Sequence, residues 1–169
     1  MGRDAVITND EIPRIDKLLR GQRPRTLVIY WRGGGVDKVD LSGLITRSKH
    51  FAVLADPELF ATAKAVAFGG GVGWANGLDY SATNLHKMAE EQRPMTGRQF
   101  VSWQKKMGIS NRETAALFDR TVSTVKNYHN ADKVPMAVAA TARSMMRDPV
   151  IFQAHFRPAP KAGRPRKTA

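Results

Sequence analysis

A chain of 169 residues that is 42% hydrophobic carries enough apolar material for one ordinary domain or two small ones, which excludes a disordered tail. With no cysteine it can form neither disulfides nor thiolate metal sites, and His50, His86, His129 and His155 are too scattered for a local ligand pair, so no metal and no cofactor is expected. No run reaches the roughly 18 apolar residues of a membrane span, and residues 1–11 lack the apolar core of a signal peptide, so a cytoplasmic location without a membrane partner is the expectation.

The net charge of +12 points to a polyanionic partner, and its placement is uneven. Residues 1–95 carry 13 Lys and Arg against 11 Asp and Glu, a net of +2, whereas residues 96–169 carry 14 against 4, a net of +10. A region so basic gains affinity for nucleic acid by releasing condensed counterions, an affinity that falls steeply with salt.

In chain order, 26–32 (TLVIYWR) is the strongest strand candidate. Gly33, Gly34 and Gly35 permit a tight reversal, and 36–41 (VDKVDL) alternates apolar and polar residues as a returning hairpin strand would. Asp56-Pro57-Glu58 places a cap, a proline and an acid in order for a short helix that turns Leu59 and Phe60 inward. A second hairpin is expected from 63–68, Gly69 to Gly71, and 72–75, followed by an Asn76-Gly77 turn. Residues 81–91 then place Leu85, Met88 and Ala89 at helical spacing until Pro94, which is read as the domain boundary. Beyond it strand signals stop and helical periodicity takes over. The stretch 156–169, rich in proline and basic residues, reads as a mobile tail.

Residues 109–135 (ISNRETAALFDRTVSTVKNYHNADKVP) have the layout of a supporting helix, a short turn and a second helix narrow enough for the major groove. Ser110 or Asn111 caps the first helix, with Glu113 in its first turn, where the helix dipole favours a carboxylate. Ala115 is small enough for a close crossing, and Phe118 faces the core. Asp119, Arg120 and Thr121 make the turn, and Thr121 caps the next helix. Val125 and Tyr128, three apart, point inward, which leaves Val122, Ser123, Lys126 and Asn127 outside.

These residues resemble the Cro and phage-repressor-like (XRE-type) helix-turn-helix family. Its pattern is met without gaps at Ile109-Ser110-Asn111, Ala115, Val125, Tyr128 and Pro135, while Phe100, Trp103 and Met107 fit its first helix and 136–146 its fourth. Asp119 stands where that family usually has glycine; Asp tolerates left-handed geometry better than most residues. The resemblance implies that Asn111 holds a phosphate, that Val122, Ser123, Lys126 and Asn127 approach base edges, and that Asn130 and Lys133 meet the backbone; Thr121, at the helix start, is also counted among the DNA-binding residues, since helix amino termini favour phosphate. Side-chain chemistry agrees: Asn pairs bidentately with adenine, Lys with guanine O6 and N7, and an exposed Val packs on a thymine methyl.

The first half resembles the DUF2442 family of small bacterial α+β domains of unknown function. The likeness lies in Asp40-Leu41 after an extended pair, in Leu54 to Phe60, and in Val72-Gly73-Trp74-Ala75-Asn76-Gly77-Leu78-Asp79 followed by Leu85; Ala75 replaces that family's usual proline. Members occur fused to a repressor-like helix-turn-helix, in the order met here. No catalytic residues are assigned. Neither glycine cluster fits a phosphate-binding loop, and Asp37, Asp40, Asp56, Glu58 and Asp79 read as helix caps or as solvent-facing strand residues. Gly163-Arg164-Pro165-Arg166-Lys167 resembles the core of an AT-hook, although Ala162 stands where that motif usually has arginine; Arg164 and Arg166 belong either to such a hook or to a nonspecific basic tail.

The sequence is thus expected to fold as an α+β domain over 1–93, a small sheet of hairpins with short helices, followed by an all-α, lambda-repressor-like helix-turn-helix domain over 96–150 and a basic tail over 151–169. The expected function is a sequence-specific, DNA-binding transcriptional regulator that reads the major groove with a helix near 122–130. Double-stranded DNA is the expected partner, a homodimer is expected, and the first domain is expected to serve dimerisation or partner sensing, with a protein partner there. The alternative is an antitoxin-like protein that binds a partner and autoregulates through the same DNA-binding domain.

Overall fold

The structure, a computed structural model, describes residues 12–159. It divides into two units, Met1–Arg93 and Pro94–Ala169, the first α+β and the second helical.

In the first unit the β-branched and aromatic run Thr26–Trp31 (β2) lies between Ile15–Arg20 (β1) and Val36–Asp40 (β3) in an antiparallel sheet of order β1-β2-β3. Gly34 and Gly35 take positive φ at the β2–β3 reversal, and Trp31 N–H donates to Gly35 O at 3.1 Å to close it. After Ser42–Arg47 (α1), a short 3-10 turn and Pro57–Phe60 (α2, capped by the Asp56 carboxylate), the chain forms a second antiparallel sheet. Its strands are Lys64–Val66 (β4), Gly71–Gly73 (β5) and Asp79–Ser81 (β6), in the order β4-β5-β6. The helix Ala82–Gln92 (α3), capped by Ser81, lays Leu85 and Ala89 into the core formed with Ile15, Leu27, Ile29, Val39, Leu54 and Val72.

Two expectations for this unit, at residues 67–69 and at Asp37, are corrected. Residues 67–69 are not strand: Ala67 and Phe68 both adopt left-handed φ, and Phe68 is 91% exposed at the tip. Gly69, at φ 85, backs onto β1 so closely that a Cβ would lie 2.3 Å from Ile15 O. Asp37 does not face water. It is buried in β3, where its carboxylate accepts from Trp31 Nε1 at 2.7 Å and from Arg93 Nε and Nη2 at 2.7 and 2.6 Å. Asp40 is clasped at its backbone, because its N–H donates to Gln92 Oε1 and its carbonyl accepts from Gln92 Nε2, both at 2.8 Å.

The second unit consists of Gly97–Met107 (α4), Asn111–Leu117 (α5), Val122–His129 (α6), Met136–Arg147 (α7) and Pro149–His155 (α8). Phe100, Trp103, Ile109, Ala115, Val125, Val134, Val138, Ala142 and Met145 are buried together. The expected tail begins too early at 151. Asp148 caps α8, its carboxylate accepting from Val150 N–H at 2.9 Å, Ile151, Phe152 and Phe156 pack on the core, and Ala159 N–H donates to Glu113 Oε1 at 3.1 Å. Among the described residues no helix is long and apolar enough to cross a membrane.

Candidate nucleic-acid interface

Two reciprocal caps set the frame. Thr96 and Gln99 form a capping box at the start of α4, and Ser110 and Glu113 form one at the start of α5, each satisfying backbone N–H groups that a helix start leaves unpaired. The Glu113 carboxyl is held below the usual carboxylate range by the Ser110 backbone N–H first, then by the Ser110 hydroxyl and the Ala159 N–H. Gly108, left-handed at φ 69, ends α4 and releases the chain into Ile109.

The turn between α5 and α6 closes through Arg120 N–H, which donates to Ala115 O at 2.8 Å, with Asp119 at φ 51. The left-handed geometry is therefore taken up by an aspartate. Glycine would remove about 1–2 kcal/mol of steric cost while adding about 0.5–1 kcal/mol of unfolded-state entropy. Asp119→Gly is expected to stabilise the second unit slightly, by about 0.5 kcal/mol, in thermal unfolding. A clear loss of stability would mean that the carboxylate itself holds the turn.

Beyond the turn, the Thr121 hydroxyl oxygen accepts from Thr124 N–H at 3.1 Å and caps α6. Val125 is fully buried, and Tyr128 meets Phe100 edge-on at 5.7 Å. The opposite face carries Val122, 37% exposed, with Ser123, Lys126 and Asn127, all facing solvent. Thr121 is also exposed, as are Asn130, which ends α6, and Lys133 in the following loop. Arg98, Lys105, Lys106, Arg112 and Arg120 are further exposed cations of this unit. Arg164 and Arg166 lie outside the described residues.

Sequence reasoning missed the residue that joins these helices. Gln104 is buried on α4; its Nε2 donates to Thr114 Oγ1 at 2.9 Å and to Asn111 Oδ1 at 2.8 Å, and its Oε1 lies 2.9 Å from His129 Nε2. A carboxamide oxygen only accepts, so His129 carries its proton on Nε2. Thr114 in turn donates its hydroxyl to Ser110 O at 2.8 Å. The buried Gln104 carboxamide and Thr114 hydroxyl both find partners, and the network fixes the start of α5 and the end of α6 to one side chain. The signal was a glutamine one step from Trp103 within the Phe100, Trp103, Met107 stripe. Asn111 takes part in this network through Oδ1, as an acceptor.

No family's sequence profile matches this chain, and no curated protein sequence does. A crystal structure of a Nitrosomonas europaea protein, provisionally described as DNA-binding, is similar to it at 20% identity and a TM-score of 0.44, over 89% of this chain and 94% of that one.

Proposed function

We propose that the second unit binds double-stranded DNA by laying α6 in the major groove, and that the protein is a non-enzymatic transcriptional regulator of the repressor-like helix-turn-helix type. The observation that carries this reading is the α5–turn–α6 arrangement. A capped, core-anchored helix presents Val122, Ser123, Lys126 and Asn127 as one outer row. In this reading Lys126 and Asn127 pair with base edges, Val122 packs on a thymine methyl, and Asn111, Asn130 and Lys133 meet phosphates. The excess of cations in residues 96–169 supplies the salt-dependent part of the affinity. Two copies would read half-sites about 34 Å apart, one helical turn. The first unit, of the DUF2442 type in this reading, takes the dimerising or partner-sensing role.

The test is binding of the purified chain to its own upstream DNA and to random duplex, by fluorescence anisotropy at two salt concentrations. Tight, salt-sensitive binding with preference for the upstream DNA is expected. Lys126→Ala and Asn127→Ala should each weaken specific binding by about 1–3 kcal/mol and random-duplex binding much less. Equal losses on both duplexes would count against base reading, and equally weak binding to both would favour a partner-binding, antitoxin-like role.

A further inference from the structure

The turn joining β1 to β2 overhangs a groove of about 820 Å³ in the first unit, a volume within the range that holds small organic ligands. Arg20, Arg23 and Arg25 are among its lining residues, with an apolar floor of the exposed Ala55 and Pro57 next to the buried Leu54 and Phe60. Leu54 and Phe60 are themselves buried core residues, so the floor is fixed. The ion pairs His86–Glu90 and Arg93–Asp37 leave these three arginines out. The one carboxylate on the groove wall belongs to Asp40, whose Oδ1 accepts from Ser42 N–H at 2.7 Å. Three arginines and one acid thus share the lining of the groove with apolar residues.

The turn is also held in place. Gly21 N–H donates to Thr26 O at 2.7 Å, Leu41 N–H donates to Arg25 O at 2.9 Å, and Pro24 restricts the backbone between them. Arg25 sits at φ 58, a left-handed conformation that glycine would adopt without cost. The chain therefore keeps a cationic side chain at a strained position on the groove wall, and such strain gathers at ligand-binding segments.

We infer that this groove binds a small organic acid whose carboxylate or phosphate head is held by the arginines and whose apolar body lies on Ala55 and Pro57. Guanidinium groups match both heads through paired N–H donors. A nucleic-acid backbone would use the arginines but leave the apolar floor empty, so the small ligand is the better fit. The inference rests on the first unit alone, and its failure would leave the DNA-binding reading untouched.

The test is amide-detected NMR titration of the full chain with 4-phenylbutyrate, phenyl phosphate, inorganic phosphate and the neutral 4-phenylbutanol. Saturable shifts confined to the amides of residues 20–26 and 54–60 are expected with one or both amphipathic anions, which also identifies the preferred head. Inorganic phosphate and the alcohol should bind far more weakly, since each lacks one half of the match. Arg25→Gly, which removes the charge and relieves the turn, and Arg23→Gln, at an exposed position, should each lower the affinity about tenfold, while Arg47→Gln should leave it unchanged. Shifts scattered over exposed basic residues, equal binding of the alcohol, or unchanged affinity in both arginine variants would overturn the inference. So would variants that weaken DNA binding in a chain that takes up neither anion.

Discussion

Gly97→Ala is expected to lower the stability of the second unit by about 3 kcal/mol, the upper part of the overpacking range, and to remove sequence-preferring DNA binding with it. Alanine at the start of a helix would ordinarily help by up to about 1 kcal/mol. Here the added methyl would lie 2.3 Å from His129 O and 2.5 Å from Tyr128 O. Both are backbone atoms at the end of α6, which cannot swing aside as a flexible side chain could. Gly97 N–H also donates to Ala131 O at 2.8 Å, so α4 and the chain after α6 are drawn together at the point where the methyl would push them apart. Retreat of α6 would pull His129 from Gln104, so the loss extends to the network that orients the proposed reading helix. Urea unfolding followed through second-unit amides measures the effect, with Gly43→Ala, which meets open space, as the control. If the two variants behaved alike, the close approach of α4 to α6 would be refuted.

The second large effect is expected at Asp37. Breaking a buried ion pair costs about 3–5 kcal/mol, but the Arg93 side chain is 48% exposed and can return to water. A loss of about 2 kcal/mol is therefore expected for Asp37→Ala, with Trp31 Nε1 left without its acceptor. Asp37→Asn keeps an acceptor for Trp31 and should lose less. The hydrogen bonds from Arg93, the leading cause, hold the Asp37 carboxyl below the usual range against the opposing effect of its burial, with the Trp31 hydrogen bond adding to the depression. In the window between the folded value and the unfolded value of about 3.9, the unfolded chain binds more protons, so stability rises with pH. The stabilisation is complete above the unfolded value and is lost as pH falls through the folded one. Acid titration of the first unit's stability should show this slope in the parent chain and a shallower one in Asp37→Asn. Superimposable curves would remove the carboxylate from the account.

The second unit was the more legible in sequence because its signals are local. Ser110, Thr121 and the residues three positions after each state where α5 and α6 begin, and the stripe Phe100, Trp103, Met107 states which face of α4 is buried. In the first unit β1 escaped notice because it is an edge strand with an irregular register between Ile15 and Lys17. Ile15 is its one buried residue, and a single apolar position shows no alternation. Helix α1 is six residues long with a glycine inside, too short and too weak for periodicity to register. Helix α8 was hidden by the proline-rich, basic composition of the stretch that follows it, although Asp148-Pro149 is a good helix start. Asp37 and Gln104 were unreadable for one shared reason. A polar residue at a core position is assigned to solvent unless its partners are known, and these partners lie on other elements.

The clasp of Asp37 by Arg93 and of Asp40 by Gln92 joins residues 56 and 52 positions apart, whereas the caps that begin α4, α5 and α6 join residues only 3 apart. Long loops are slow to close and local contacts are quick. On a ribosome, the first unit therefore waits for its final helix to be made before its sheet can be locked, while the second can mark out its helices as each one emerges. The part of the chain synthesised first depends for its completion on nearly the last residues of its own unit, so its interval of partial exposure is set by translation as much as by its own folding rate.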